Sequence, residues 1–151
     1  MGNNDPISEA GRLRAALLDA AAGLEFAISS PSGQGAAWGE RVDDQLQLLR
    51  SALLDHTGAV ESDDGLLADI VRQAPRLSNR VKLMKREHEQ MDARIVELVQ
   101  MVGAVAPDEL EEATETIREA TLELLGTLSR HRQKGADLVY RAFAVDIGGV
   151  G

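Results

Sequence analysis

Three histidines are the residues of this chain best suited to chemistry. His56, His88 and His131 each lie in the apolar stripe of a different predicted helix, at positions where leucine would be usual. The stripes step by three and four residues, a spacing that places side chains on one face of a helix. Histidine is the commonest metal ligand, and a buried imidazole requires a polar partner. Three imidazoles directed into one helical core therefore predict a metal site.

The stripe that contains His88 keeps this spacing without a break. Its apolar positions are Leu77, Val81, Met84, Met91, Ile95, Leu98 and Val102. A similar stripe over residues 110–145 contains His131, and a shorter one over residues 46–60 contains His56. We therefore expect all three imidazoles to point inward.

The composition favours one all-helical domain over residues 1–151. The chain has only four prolines and 3% aromatic residues, with an ordinary balance of 44% hydrophobic and 27% charged residues. A formal net charge of −9 argues against a nucleic-acid partner, because phosphate binding depends on lysine and arginine. The absence of cysteine excludes disulfides and thiolate metal ligands. No apolar run reaches the roughly 18 residues of a membrane span or resembles a signal peptide, so we expect a cytoplasmic protein that does not bind membranes.

Proline, glycine and capping residues divide the chain into four long amphipathic segments. They predict helices over residues 6–29, 36–74, 75–102 and 107–145, with an interruption of the second at Ser62–Gly65. Four such segments joined by short loops predict an all-α fold, an antiparallel up-down-up-down four-helix bundle.

In such a bundle, residues that are equidistant from a turn lie at the same height. Position 72, halfway between His56 and His88, is close to the predicted turn at Ala74-Pro75, so these two histidines are expected to meet. The midpoint of His88 and His131 lies some four residues beyond the next turn, an offset of about 12 Å for straight helices. The sequence therefore predicts proximity for the first pair and leaves it open for the second.

The order and spacing of the histidine motifs resemble those of the hemerythrin-like, HHE cation-binding family over nearly the whole chain. The segment Arg86-Glu87-His88-Glu89 resembles the family's Glu-His motif. His56 followed by Glu61 resembles its second-helix motif, and His131 its fourth-helix histidine. Gly11-Arg12-Leu13-Arg14 resembles the first-helix stretch in which a histidine precedes Leu-Arg. Members are four-helix bundles with a non-haem di-iron centre. The resemblance implies iron as the cofactor, held by His56, Glu61, His88 and His131.

The chain departs from this family's ligand pattern at one histidine and three carboxylates. The residues that stand in those places are Gly11, Val60, Gly135 and Ala136. Carboxylates neutralise and bridge the two ions of a di-iron centre, and three neutral imidazoles cannot do so. The sequence therefore leaves open an intact centre, an altered mononuclear site for iron, zinc or copper, and no metal at all. Asp92, one turn after His88, is a further acidic candidate.

Arginine and lysine concentrate around His88 and His131 in an otherwise acidic protein. These residues are Arg72, Arg76, Arg80, Lys82, Lys85, Arg86, Arg130, Arg132 and Lys134. Such a run usually forms a solvated face paired with carboxylates. The functional alternative is an anion site close to the histidines.

Three functions follow from these alternatives. The first is a hemerythrin-like, iron-binding protein that binds or senses a small oxidant or diatomic gas, such as peroxide, dioxygen or nitric oxide. The second is a metal-free helical interaction module, with a homodimer left open. In that module each histidine would bond a carbonyl or a hydroxyl group. Its hydroxyl candidates are Thr57, Thr114, Thr121 and Tyr140. The third is a peroxide-consuming enzyme, which requires the metal site and turnover.

Overall fold

A computed structural model describes residues 6–30, 36–106 and 108–145, and all regular structure within those ranges is helical. The α-helices are α1 (Pro6–Ser29), α2 (Ala36–Val60), α3 (Leu66–Gln73), α4 (Ser78–Gly103) and α5 (Leu110–Val139). A 3-10 turn, Pro75–Leu77, precedes α4, and a π-helical segment, Tyr140–Val145, follows α5. The predicted all-α class is confirmed.

The four long helices pack in sequence around a shared interior. Helix α1 contacts α2, α2 contacts α4, α4 contacts α5, and α5 returns to α1 through a smaller contact. The stripe predicted around His88 is the buried face of α4. Its buried residues are Val81, Met84, His88, Met91, Ile95, Leu98 and Val102. The periodicity of apolar residues therefore decides which face of this helix turns inward.

The interruption predicted at Ser62–Gly65 in the second helical segment is confirmed, and it divides that segment into two separate helices. Helix α2 ends at Val60, and a turn leads into the separate short helix α3. In this turn the Gly65 N–H donates a hydrogen bond to the Ser62 carbonyl oxygen at 2.9 Å. A Cβ atom at Gly65 would overlap the carbonyl oxygens of Ala59 and Val60. The chain can therefore fold back over the end of α2 because this position lacks a side chain.

Two other helix boundaries differ from the predicted ones. Helix α4 begins at Ser78 rather than Pro75, because residues 75–77 form a tighter turn that the Ser78 hydroxyl closes on the Pro75 carbonyl oxygen at 2.6 Å. Helix α5 begins at Leu110, whereas the sequence places its start at Pro107, a residue outside the described ranges.

The interior contains two apolar clusters separated by a polar layer. The Trp38 cluster includes Leu24, Trp38, Leu49, Leu53, Met91, Ile95, Leu124 and Leu128. The Ile70 cluster includes Val60, Leu67, Ile70, Val81, Met84, Leu138 and Ala142. The three histidines lie at the boundary, since each long helix that carries one contributes to both clusters on either side of it.

A cationic side chain secures the end of α1 beside the Trp38 cluster. Arg118 of α5 donates hydrogen bonds to the carbonyl oxygens of Ile28 at 2.6 Å and Ser30 at 3.0 Å. Its guanidinium also lies over the buried ring of Trp38, 5.6 Å from the ring centroid. Arg118 therefore caps carbonyl groups that the helix itself leaves unpaired.

Within the described residues, no helix combines the length and the apolar composition needed to cross a bilayer.

Candidate metal centre

The three histidines come together from three helices. One nitrogen from each of His56 on α2, His88 on α4 and His131 on α5 lies within 4.8 Å of the other two. The ring centroids of His56 and His88 are 5.3 Å apart, and those of His88 and His131 are 4.7 Å apart. The offset of about 12 Å expected for the second pair is therefore absent.

The histidine cluster is shielded from solvent. His88 is 2% exposed and His131 is 4% exposed, while His56 is only partly buried. Each ring keeps one buried nitrogen that has no hydrogen-bond partner: His56 Nδ1, His88 Nε2 and His131 Nε2. Native proteins leave few buried polar atoms unpaired, so such atoms indicate a missing ion, ligand or water.

Two carboxylates contact the Nδ1 atoms of the two buried rings, those of His88 and His131. Glu61, directly after α2, lies 2.7 Å from His88 Nδ1. Glu87 of α4 lies 3.4 Å from His131 Nδ1 and also pairs with Lys134 at 3.3 Å. An imidazole that donates Nδ1–H to a carboxylate carries its lone pair on Nε2, the nitrogen without a partner in both rings. This carboxylate–histidine arrangement is the one that orients histidine ligands in metal sites.

Burial lowers the pKa of His56 and of His131, which favours the neutral form that binds metals. Burial first, then the neighbouring His88 and His131 and the charge of Arg14, lower the pKa of His56 from 6.5 to about 4. Burial and His88 also lower the pKa of His131, although the hydrogen bond and charge of Glu87 act in the opposite direction. At neutral pH both rings therefore have a lone pair available for a cation.

Glu61 reaches the site, although a regular helix would direct it away. Its backbone N–H still bonds the Thr57 carbonyl oxygen at 3.0 Å, but α2 ends one residue earlier. The side chain meets His88 rather than sharing a ligand position with His56. In the described part of the chain, the donor atoms close enough together to hold one ion belong to the three imidazoles. No oxygen of Glu61 is among them. Glu61 therefore contacts His88 and is not one of the clustered donors.

Of the other acidic and hydroxyl candidates, Asp92 bonds elsewhere, and Thr121 and Tyr140 form no hydrogen bond with a histidine within the described residues. Asp92 accepts two hydrogen bonds from Arg50, at 2.9 and 3.4 Å. The hydroxyl of Thr121 is buried without a hydrogen-bond partner, and Tyr140 is 61% exposed. The buried imidazoles His88 and His131 pair with carboxylates rather than with these hydroxyl groups.

Glu87 contacts the histidine cluster, and the sequence analysis did not single it out as a site residue. It stands beside His88 in the motif Arg86-Glu87-His88-Glu89, which offered a signal. Adjacent residues on a helix project about 100° apart, so His88 and Glu87 face different neighbours. Only the packing of α4 against α5 brings Glu87 to His131.

A cavity of about 280 Å³ adjoins the histidines. All three imidazoles contribute to its wall, and most of the remaining wall is aliphatic. Its apolar lining includes Leu17, Leu66, Leu67, Ile70, Leu128 and Leu138. Exposed residues of α1 and α5, among them Glu25, Ser129 and Arg132, also belong to the lining. The cavity therefore reaches the surface between these two helices.

Helix α1 contributes a cationic side chain, Arg14, to the lining of this cavity. Gly11 occupies the position at which the family resemblance would place a histidine. The Nη2 atom of Arg14 lies 3.8 Å from the point where a Cβ of Gly11 would be. Arg14 also lines the cavity. The guanidinium thus covers the space that the missing side chain leaves.

The donor set fits one ion and does not fit a di-iron centre. Three neutral imidazoles with an uncompleted shell resemble the ligand sets of mononuclear catalytic sites. The two nearby carboxylates, Glu61 and Glu87, are engaged by imidazole Nδ1 atoms and so are not free to bridge two ions. A second cation beside the first would face strong repulsion without such bridges.

Comparisons with known proteins add no family assignment. No protein-family model matches the chain, and searches of curated proteins and of solved structures give no significant match.

Proposed function

We propose that this chain is a hemerythrin-like, metal-binding helical protein that holds one non-haem ferrous ion through His56, His88 and His131. The ion supplies a Lewis-acidic position that is open to a small ligand such as dioxygen, nitric oxide or peroxide. The proposal includes an antiparallel four-helix bundle formed by α1, α2, α4 and α5, with α3 as a short addition, in a single cytoplasmic domain.

One observation carries this proposal: three buried imidazole nitrogens without hydrogen-bond partners belong to rings that meet within 4.8 Å. Two ligands of one ion with bonds of about 2.1 Å lie at most about 4.2 Å apart, so small side-chain movements complete the site. Leaving the three nitrogens unpaired would cost stability, and a single cation would satisfy all of them.

The carboxylates and the cavity have distinct tasks in the proposed site. Glu61 and Glu87 fix the orientation of His88 and His131 and make their Nε2 atoms better donors. The cavity between α1 and α5 admits the small ligand. The aliphatic wall of the cavity keeps bulk water away from the bound ligand. The packing order of the four long helices supports the bundle.

The test is metal binding by the protein purified without chelator or affinity tag and loaded anaerobically with ferrous ion, zinc or cobalt(II). We expect about one equivalent per chain, and the variant His88→Leu should lower the affinity by more than about 100-fold. Leucine suits the apolar stripe of α4, so this variant should fold. Nitric oxide added to the ferrous protein should alter its electron paramagnetic resonance spectrum.

Met84→Leu is the matched control for the histidine variant. Met84 is buried one turn away on the same face of α4, lines the same cavity and offers no nitrogen. It should retain the full metal affinity. Equal metal content in both variants, or negligible uptake by the unmodified protein, would contradict the proposal. Negligible uptake with unchanged stability would instead favour the metal-free interaction module.

A further inference from the structure

We propose that the cavity beside the histidine cluster binds an amphipathic monocarboxylate, with its tail among the leucines and its carboxylate between Arg14 and the three-histidine centre. This inference deepens the proposed function, because the carboxylate would lie beside the proposed ion.

The size of the cavity exceeds what a diatomic gas or peroxide requires. A cavity of about 150 Å³ is enough to hold benzene, and a water molecule occupies about 30 Å³ in the liquid. At about 280 Å³, the space next to the histidines suits a ligand of roughly ten non-hydrogen atoms. Its wall contains leucine and isoleucine residues from α1, α3 and α5, so most of that ligand must be apolar.

Two arginines line the cavity without an ion-pair partner within the described ranges. They are Arg14 of α1 and Arg132 of α5, whereas other arginines, such as Arg50, pair with carboxylates. One carboxylate of the lining, Glu25, is exposed at the surface end. Uncompensated guanidinium groups at an apolar cavity in a protein of net charge −9 indicate that an anion enters here.

The position of Arg14 determines where the anionic group would lie. Its Nη2 atom lies 3.8 Å from the point that a Cβ of Gly11 would occupy, and its charge helps to lower the pKa of His56. The cation therefore lies on the α1 side of the histidine cluster, where none of the described residues supplies a fourth ligand. A divalent ion with three neutral ligands, next to a guanidinium, leaves an excess of positive charge in an apolar surrounding. A carboxylate can bind the ion through one oxygen and accept a hydrogen bond from Arg14.

The cobalt(II) protein and octanoate provide a direct test, because the visible spectrum of cobalt changes when a new ligand enters its shell. We expect octanoate to bind at least about 100-fold more tightly than acetate, which lacks the tail, since each buried methylene adds affinity. Octan-1-ol, which lacks the charge, should bind more weakly than octanoate and leave the cobalt spectrum unchanged.

Arg14→Met should weaken octanoate binding by about tenfold or more through loss of a charge-assisted hydrogen bond. Arg12→Met is the matched control, since Arg12 is an exposed residue of the same helix that pairs with Glu9.

A second pair of variants tests the binding of the tail. Ala21→Phe places a phenyl ring in the cavity, whereas Ala15→Phe places the same ring on the exposed face of α1. Arg14→Met and Ala21→Phe should weaken octanoate binding, and their controls Arg12→Met and Ala15→Phe should leave it unchanged.

The inference is overturned if octanoate binds no better than acetate, or if Arg14→Met and Arg12→Met bind it equally. Cobalt uptake is measured beforehand, and its absence overturns the proposed function by itself. Octanoate is then titrated calorimetrically into the metal-free protein. There, binding that depends on Arg14 supports the carboxylate site, and binding that does not depend on Arg14 overturns it.

Discussion

Glu61 and Glu87 support the proposed site by holding two of its histidines, His88 and His131. Each accepts a hydrogen bond from Nδ1 of a buried imidazole, and the Nε2 atom of the same ring is left without a hydrogen-bond partner. Fixing the tautomer and the ring orientation before a metal arrives reduces the entropy lost on binding. The carboxylates also offset part of the charge that a divalent ion brings into an apolar interior.

We expect Glu61→Gln to lower metal affinity by about 10- to 100-fold, because an amide carries no charge and holds His88 less firmly. Competitive titration with a chromophoric chelator measures this change. Glu89→Gln is the matched control, since Glu89 is an exposed neighbour of His88 on α4. If the two variants bind metal equally, Glu61 has no role in supporting the site.

At the scale of the helices, the apolar pattern predicts faces well and boundaries less well. The inward face of α4 follows from spacing alone, because burial of an apolar stripe dominates helix packing. The sequence also indicates the interruption between α2 and α3 at Ser62–Gly65, but it does not show that the turn needs a residue without a Cβ at Gly65. The same turn brings Glu61 to His88 across two helices, a contact between distant residues that spacing along one helix cannot predict.

Gly65→Ala should destabilise the protein by about 1–3 kcal/mol, because its Cβ would press on the carbonyl oxygens that end α2. It should also weaken metal binding through displacement of Glu61. Gly58→Ala is the control within α2, where a Cβ meets no atom within 4 Å. That change should stabilise the helix by about 0.5–1 kcal/mol. Urea unfolding followed by circular dichroism compares them, and a neutral Gly65→Ala would show that the turn tolerates a side chain.

For the whole molecule, the histidine layer divides the interior into the Trp38 cluster and the Ile70 cluster. Three unpaired buried nitrogens between two apolar clusters weaken the metal-free interior, and a bound ion would join α2, α4 and α5 at that level. A ligand that binds only the folded state stabilises it by about 4 kcal/mol at 1,000 times its dissociation constant. Metal binding and global stability are therefore expected to change together.

X-ray absorption spectroscopy of the metal-loaded protein tests the central claim most directly, since it reports the number, type and distance of the ligands around the ion. We predict one ion per chain with three imidazole nitrogens at about 2.0–2.2 Å and no second metal at about 3.5–4 Å. Fewer than three imidazoles around the ion, or a metal neighbour at that distance, would contradict a mononuclear three-histidine centre.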